Sequence, residues 1–221
     1  MGDWIKLKAN DGFELSAWRE APAGKPRGAV VVVQEIFGVN HHIRSIVHRF
    51  DASGYLAIAP ALFDRQEPGF DVGYDDASRA KGFALMGKFD RALAIGDVAA
   101  AIAAAREGGK VAVVGFCLGG ALAWGASAHV PGLDAAVSYY GNITSIKDFE
   151  PKTPVQMHYG EKDAHIPVDE VREIAAGRAG VEFHAYPADH GFGCDERGAF
   201  DAESSTIAGG RTIEFLAKHL R

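Results

Sequence analysis

Cysteine is scarce in this chain, and long apolar runs are absent. The 221 residues include two cysteines, Cys117 and Cys194, too few for a disulfide scaffold. No apolar run reaches the roughly 18 residues that a membrane-spanning helix needs. The first residues, MGDWIKLKANDG, do not contain the apolar segment of a signal peptide. We therefore expect a cytoplasmic protein with reduced thiols and no membrane partner.

Clusters of basic residues and metal-binding motifs are also missing. There are 23 lysines and arginines against 29 acidic residues, a net charge of −6, without the basic stripe that is typical of nucleic-acid binding. Nine histidines form no H-E-x-x-H and no cysteine–histidine ligand spacing, so no metal site is predicted. The expected partner is a small molecule and no cofactor is indicated. The sequence leaves the oligomeric state open, a monomer included.

The composition is that of a globular protein, with 48% hydrophobic and 24% charged residues. There is no internal repeat or linker, which predicts a single domain over residues 1–221. Strand and helix patterns alternate, which favours an α/β fold with a mostly parallel sheet and helices on both faces. Residues 5–9 and 13–18 flank NDG and predict an antiparallel hairpin at one edge. The continuous run AVVVVQE, residues 29–35, is typical of a strand covered on both faces.

The segment GFCLGG, residues 115–120, follows the apolar strand KVAVV and precedes ALAWGASAH. Glycines two residues before and two residues after Cys117 predict a sharp strand-to-helix turn, with the cysteine as a nucleophile at its tip. The N–H groups at the start of the following helix would favour the thiolate, which is the attacking species. The structural alternative is a small buried cysteine at the start of a glycine-rich helix.

Two later residues fit the order nucleophile, acid, histidine that α/β-hydrolases follow. Asp163 comes directly after the predicted strand PVQMHY, and His190 comes directly after VEFHAY. Both lie at carboxyl ends of strands, where open α/β sheets place their sites. His190 would act as the base and Asp163 would orient it. His165, Asp169 and Asp189 lie nearby and compete for these roles.

The segment VVVQEIFG places Glu35 at the end of an apolar strand. An α/β-hydrolase has its first oxyanion-hole loop at this point, so the backbone N–H groups of Ile36 and Leu118 are candidates for binding a developing oxyanion. The structural alternative for Glu35 is a strand-end carboxylate that faces water.

These motifs together resemble the dienelactone hydrolase family of α/β-hydrolases, also called carboxymethylenebutenolidases. The resemblance covers nearly the whole chain, and the combination of Q-E-I-F-G with G-F-C-x-G-G is its most specific part. The segments that carry it are QEIFGVN (34–40), GYLAIAPALF (54–63), GFCLGGALAW (115–124), YYG (139–141), GEKDAHIP (160–167), YPADHGFGCDERGAFD (186–201) and RTIEFLAKHL (211–220).

The resemblance implies a triad of Cys117, His190 and Asp163 that needs no cofactor. It further implies that Glu35 partners the cysteine thiol and helps to form the thiolate when substrate arrives. The implied reaction is attack on a lactone carbonyl, which gives an acyl-enzyme or enolate that water resolves. The implied substrate is a dienelactone with a carboxylate, which is converted to maleylacetate during degradation of aromatic compounds.

The resemblance also implies substrate contacts at Arg79, Phe83 and Tyr139. Well-studied members carry a second arginine four residues after the triad histidine, where this chain has Cys194, and the nearest arginine is Arg197. Phe83 and Met86 replace larger amphipathic aromatics. These departures concern the substrate rather than the chemistry.

Three other functions fit the sequence. The first is a carboxylesterase that acts on a different ester. The second is a thiol redox sensor in which Cys117 is oxidised to a sulfenic acid and then resolved by Cys194. The third is a binding module that keeps the fold without turnover. The retained set of Cys117, Asp163, His190 and Glu35 argues against the third.

Overall fold

The structure is a computed structural model that describes residues 2–221, and its centre is one eight-stranded sheet. The strands follow the order β1-β2-β4-β3-β5-β6-β7-β8 across the sheet. Their bounds are β1 Asp3–Lys8, β2 Glu14–Glu20, β3 Ala29–Val33, β4 Leu56–Pro60, β5 Val111–Phe116, β6 Ala135–Tyr139, β7 Val155–Gly160 and β8 Val181–Tyr186.

The sheet is antiparallel at one edge and parallel elsewhere. β1 pairs with β2, and β2 pairs with β4, in antiparallel register, whereas all pairs from β4 through β3 to β8 are parallel. The five central strands β3 to β7 consist entirely of buried residues, because helices cover both of their faces. The predicted fold class and the predicted N-terminal hairpin are therefore confirmed.

Within residues 2–221, six α-helices connect or flank the strands. The chain leaves β3 and β5 in opposite directions along the sheet, so right-handed crossovers put α1 and α4 on opposite faces. Helices α3 and α4 contact each other, while α1 and α6 line a cavity together with side chains of β5 and β6. The helix bounds are α1 His41–Ala52, α2 Asp76–Met86, α3 Arg91–Ala105, α4 Leu118–His129, α5 Val168–Ala176 and α6 Ala202–His219. No helix among residues 2–221 is long and apolar enough to cross a membrane.

The strand predicted over residues 29–35 ends earlier, at Val33, because Gln34 binds backbone groups at the starts of two helical segments instead of a neighbouring strand. Its backbone carbonyl accepts from the N–H of Gly119 at 3.0 Å, and its side-chain oxygen accepts from the N–H of Leu62 at 3.1 Å. The chain thus leaves the sheet just before Glu35. As a result, the loop after β3 lies against the start of α4, at the carboxyl ends of the parallel strands.

Candidate active site

Cys117 sits alone between β5 and α4 in a strained backbone conformation. Its φ is 54°, and the only other non-glycine residue among 2–221 with positive φ is Tyr140. Such a conformation costs on the order of 1–3 kcal/mol and persists only where the surrounding structure enforces it. Cys117 is half-buried, and its side chain faces a cavity at the carboxyl edge of the sheet. The turn predicted from the sequence is present.

The glycines around Cys117 are required by close backbone contacts. A Cβ atom at Gly115 would collide with the carbonyl oxygen of Gly119. A Cβ atom at Gly119 would collide with the carbonyl oxygen of Val33, at the end of β3. Helix α4 can therefore start directly behind β5 and beside β3 only if these positions lack side chains. This packing enforces the conformation of Cys117.

His190 and Asp163 meet at this edge, from the loops after β8 and β7. The distance from His190 Nδ1 to Asp163 Oδ2 is 2.7 Å. The other carboxylate oxygen of Asp163 accepts from the backbone N–H groups of His165 at 2.8 Å and Ile166 at 3.2 Å. These bonds fix the carboxylate, which holds the histidine ring, and His190 lines the same cavity as Cys117.

The charges of this group support one another. Burial of the His190 ring opposes its protonated form, but the hydrogen bond with Asp163 and the proximity of the Cys117 sulfur outweigh burial and raise the pKa of His190 to about 10. Burial likewise opposes the charged form of Asp163, and its bond to His190 more than compensates, so the pKa of Asp163 is lowered. Of the competing residues, His165 lies beside His190 with ring centroids 5.9 Å apart. The Asp189 carboxylate accepts from the backbone N–H of His190 at 2.6 Å rather than from its ring, and Asp169 accepts from Arg172.

The backbone N–H groups of Ile36 and Leu118 are both available at the cavity. Both residues line it, and neither N–H donates to a protein acceptor in the described part of the chain. Helix α2 packs directly on the loop that contains Ile36, since a Cβ atom at Gly82 would collide with the carbonyl oxygen of Ile36. Two unused donors beside Cys117 are what an oxyanion needs.

Glu35 is fully buried, and it is bound by two residues, Arg197 and Tyr74, for which the sequence predicts no contact with it. Arg197 Nη1 donates to Glu35 Oε1 at 3.0 Å, and Tyr74 Oη donates to Glu35 Oε2 at 2.9 Å. The structural alternative of a water-facing carboxylate is therefore wrong, because Glu35 has no exposed surface. Its charge is balanced by the guanidinium of Arg197, as a buried carboxylate requires.

The cavity that contains Cys117 has a volume of about 400 Å³ and a largely apolar wall. Phe83 and Met86 of α2 contribute to this wall and remain 53% and 39% exposed. Three arginines also line it, Arg79, Arg91 and Arg197. A more polar chamber of about 600 Å³ adjoins it and shares Arg79, Arg197 and His190. The two chambers together form a cleft with one apolar and one polar part.

Tyr139 does not reach this cleft, contrary to the expectation that it contacts substrate. Its side chain is only 5% exposed, and its hydroxyl lies 2.7 Å from that of Thr212 in α6. Strand residues alternate between the two faces of a sheet, and Tyr139 points to the face of α6. Its neighbour Tyr140 lines the cleft instead, with its ring 5.1 Å from that of His190.

Three of the cleft residues had only weak signals in the sequence. Arg197 lies three positions beyond the position of the expected arginine. The fold of the loop after β8 brings it to Glu35, and residue spacing alone does not predict this contact. Arg91 and Tyr74 lie at a helix start and in a loop, where charged and polar residues are common for other reasons. The pairing of Tyr74 and Arg197 with Glu35 depends on the tertiary structure.

The mostly parallel sheet, with a strained turn between β5 and α4 and a histidine after β8, defines an α/β-hydrolase fold. The comparisons with known proteins specify the family. The profile of the Dienelactone hydrolase family matches residues 15–220, and the chain belongs to that family. It is a hydrolase of the dienelactone hydrolase type.

Named relatives agree with this assignment. The chain is 35% identical to a carboxymethylenebutenolidase of Pseudomonas putida, over 96% of this chain and 95% of the relative. It is 32% identical to carboxymethylenebutenolidase 1 of Cupriavidus pinatubonensis, over 98% and 97% of the two chains. A crystal structure from Klebsiella pneumoniae, of a protein named as a dienelactone hydrolase, superposes with a TM-score of 0.87 at 32% identity and covers 99% and 98% of the chains.

Proposed function

We propose that the protein hydrolyses a carboxylate-bearing lactone or ester through a covalent intermediate on Cys117. The observation that carries the proposal is the geometry around that residue. A cysteine held at positive φ faces a cleft beside His190, which in turn binds the buried carboxylate of Asp163. The expected location is the cytoplasm, and the expected unit is one domain.

The chemistry follows from these positions. The thiolate of Cys117 attacks the carbonyl carbon, and the N–H groups of Ile36 and Leu118 bind the oxyanion. The ring C–O bond then breaks, and protonated His190 gives its proton to the leaving oxygen. His190 next takes a proton from water, which attacks the thioester and releases Cys117. Asp163 keeps the histidine in the required orientation and stabilises its charged form.

The arginines of the cleft are the reason for proposing that the substrate bears a carboxylate. Among the described residues, Arg79 is paired only with the exposed Asp76 at 2.8 Å, a weak surface pair that a substrate can replace. A carboxylate that approaches Arg197 competes with Glu35 for the same guanidinium. Glu35 then loses part of its counter-charge and becomes a better proton acceptor for the Cys117 thiol, the partner that the family resemblance implies for it. This exchange offers a physical route by which substrate binding promotes the thiolate.

By analogy with the relatives, which are named carboxymethylenebutenolidases, the proposed substrates are dienelactones that arise in the degradation of aromatic compounds. A second candidate is a carboxylesterase activity on a larger apolar ester. The exposed Phe83 and Met86 favour it, because their side chains offer apolar surface that a small lactone does not cover. A screen over lactones and esters, each with and without a carboxylate, separates the two. Arg79→Gln should weaken only the carboxylated substrates, by about 10-fold to 100-fold.

The thiol-sensor alternative has little support, since Cys194 is fully buried. Burial, with the charge of Glu35, raises the pKa of Cys194 to about 12, so the thiolate that would resolve a sulfenic acid is rare.

The decisive experiment compares Cys117→Ala with Cys194→Ala on an activated ester and on a carboxylated lactone. We expect Cys117→Ala to lose about 10⁴-fold or more in kcat/KM and Cys194→Ala to stay within about tenfold of the native protein. Cys117→Ser should fold and be much slower, because a hydroxyl is a poor nucleophile at its free pKa. Full activity of folded Cys117→Ala would refute the mechanism.

A further inference from the structure

A second cysteine–histidine–carboxylate cluster lies buried behind the cleft. One ligand atom each of Glu35, His42 and Cys194 lies within 4.8 Å of the other two, and all three residues are buried. They come from the loop after β3, from the start of α1 and from the loop after β8. A carboxylate, an imidazole and a thiol at this separation form a donor set suited to a borderline-soft divalent ion.

The state of His42 is the observation that points to a ligand. Its side chain is 0% exposed, yet its Nε2 atom has no hydrogen-bond partner among the described residues. A buried polar atom of this kind requires an explanation, such as a bound ion or water. The other ring nitrogen, Nδ1, lies 3.2 Å from Asp195 Oδ1.

This second contact matches the usual environment of a metal-binding histidine. Such a histidine donates one ring N–H to a carboxylate, which fixes the tautomer and turns the lone pair of the other nitrogen toward the ion. Asp195 is itself held by Arg49 at 2.7 Å, so the ring of His42 is fixed before any ion binds. Nε2 is the nitrogen left to act as a ligand.

Glu35 and Cys194 can also serve as ligands. Glu35 accepts one hydrogen bond at each oxygen, and a carboxylate has about four acceptor positions. Cys194 forms no disulfide, and its thiol proton would pass to solvent when sulfur binds the ion. Two anionic ligands and a neutral imidazole would balance a divalent charge once Arg197, which balances Glu35 in the ion-free protein, moves away from that carboxylate.

We propose that Glu35, His42 and Cys194 bind one Zn²⁺ ion, with Asp195 as a positioning residue for His42. The three protein ligands leave one tetrahedral position for water. The ion would link three segments that are remote in sequence, and binding to the folded state alone would raise Tm. Tyr74 and Arg197 separate the cluster from the polar chamber, so their movement would provide the entry path.

Titration of Zn²⁺ into Cys117→Ala protein tests the proposal, because this background removes the other thiol that could bind zinc. We expect about one ion per chain. Loss of an outer-shell partner such as Asp195 costs about 10-fold to 100-fold in metal affinity, and loss of a ligand costs at least as much. Asp195→Asn should therefore fall in that range, and adding His42→Gln or Cys194→Ser should weaken binding by about 100-fold or more.

The matched control is His41→Gln, because His41 precedes His42 but is exposed and bound to Glu196. It should leave zinc affinity unchanged. Co²⁺ gives an independent readout, since a thiolate-to-cobalt absorption band should appear in Cys117→Ala and vanish when Cys194→Ser is added. The absence of stoichiometric binding, or binding that survives His42→Gln with Cys194→Ser in folded protein, would overturn the proposal. Neither readout depends on hydrolysis, so the proposed enzymatic function stands or falls separately.

Discussion

The two cysteines of this protein have nearly the same chemical neighbours and very different positions. Cys117 lies beside His190, whose Nδ1 is 2.7 Å from Asp163. Cys194 lies near His42, whose Nδ1 is 3.2 Å from Asp195.

The first group faces a cleft, whereas Cys194 and His42 are both 0% exposed. A cysteine, a histidine and an aspartate in proximity are therefore not sufficient to make the cysteine a nucleophile. Access to substrate, a strained turn and free N–H groups distinguish the first group from the second.

The largest expected difference concerns the two histidines. His190→Gln removes the base and the partner of the thiolate, and kcat/KM should fall by about 10⁴-fold. His42→Gln removes a residue that does not face the cleft, and kcat/KM should fall by less than about tenfold. Steady-state hydrolysis of one lactone by both variants measures this. Equal losses would mean that the buried cluster takes part in catalysis.

The next contrast is the reactivity of the two thiols. Iodoacetamide should alkylate Cys117 in the native protein about 10³-fold faster than Cys194, because Cys194 is reached only when the structure opens. Mass spectrometry of peptides from timed reactions gives both rates. In denaturant the two rates should become similar, and comparable native rates would show that the loop after β8 opens readily.

Alanine substitutions of the glycines near the two cysteines should differ in their effect on the free energy of unfolding. Gly119→Ala places a methyl group against the carbonyl oxygen of Val33, which the rigid sheet cannot move away, and should cost about 3 kcal/mol in free energy of unfolding. Gly193→Ala, which precedes Cys194, meets the Tyr140 hydroxyl at 3.4 Å and should cost less than about 1 kcal/mol. Urea unfolding measures both, and a tolerated Gly119→Ala would contradict the packing at the turn.

The smallest difference between the two cysteines is expected in the pH dependence of stability. The pKa of His190 is about 10 in the folded protein, against an ordinary value of 6.5. The stabilisation from this proton is fully present below pH 6.5, and it is lost as the pH rises toward 10. The slope is at most about 1.4 kcal/mol per pH unit, since one proton is involved. Urea unfolding at several pH values should show a smaller total loss of stability up to pH 10 for Cys117→Ala than for Cys194→Ala, because Cys117 contributes to the raised pKa of His190 and its removal narrows the pH window of the loss.

Local sequence patterns determined most of the secondary structure and the positions of the main site candidates. The run of valines before Gln34 predicted a buried strand, and the glycines around Cys117 predicted the turn. The positions of Asp163 and His190 after β7 and β8 indicated that they would meet, since carboxyl ends of parallel strands share one edge. Such features are readable because each depends on a few neighbouring residues or on the order of elements.

The tertiary structure alone decided which side chains share a space. Arg197 reaches Glu35 across 162 positions of sequence, and Tyr74 reaches it from another loop. Tyr139 and Tyr140 are adjacent, but their side chains point in different directions. Tyr139 contacts α6, whereas Tyr140 lines the cleft. His42 and Cys194 are likewise remote in sequence and are brought together only by the packing of α1 against the loop after β8. Burial and long-range contact depend on how distant segments pack, which no short motif specifies.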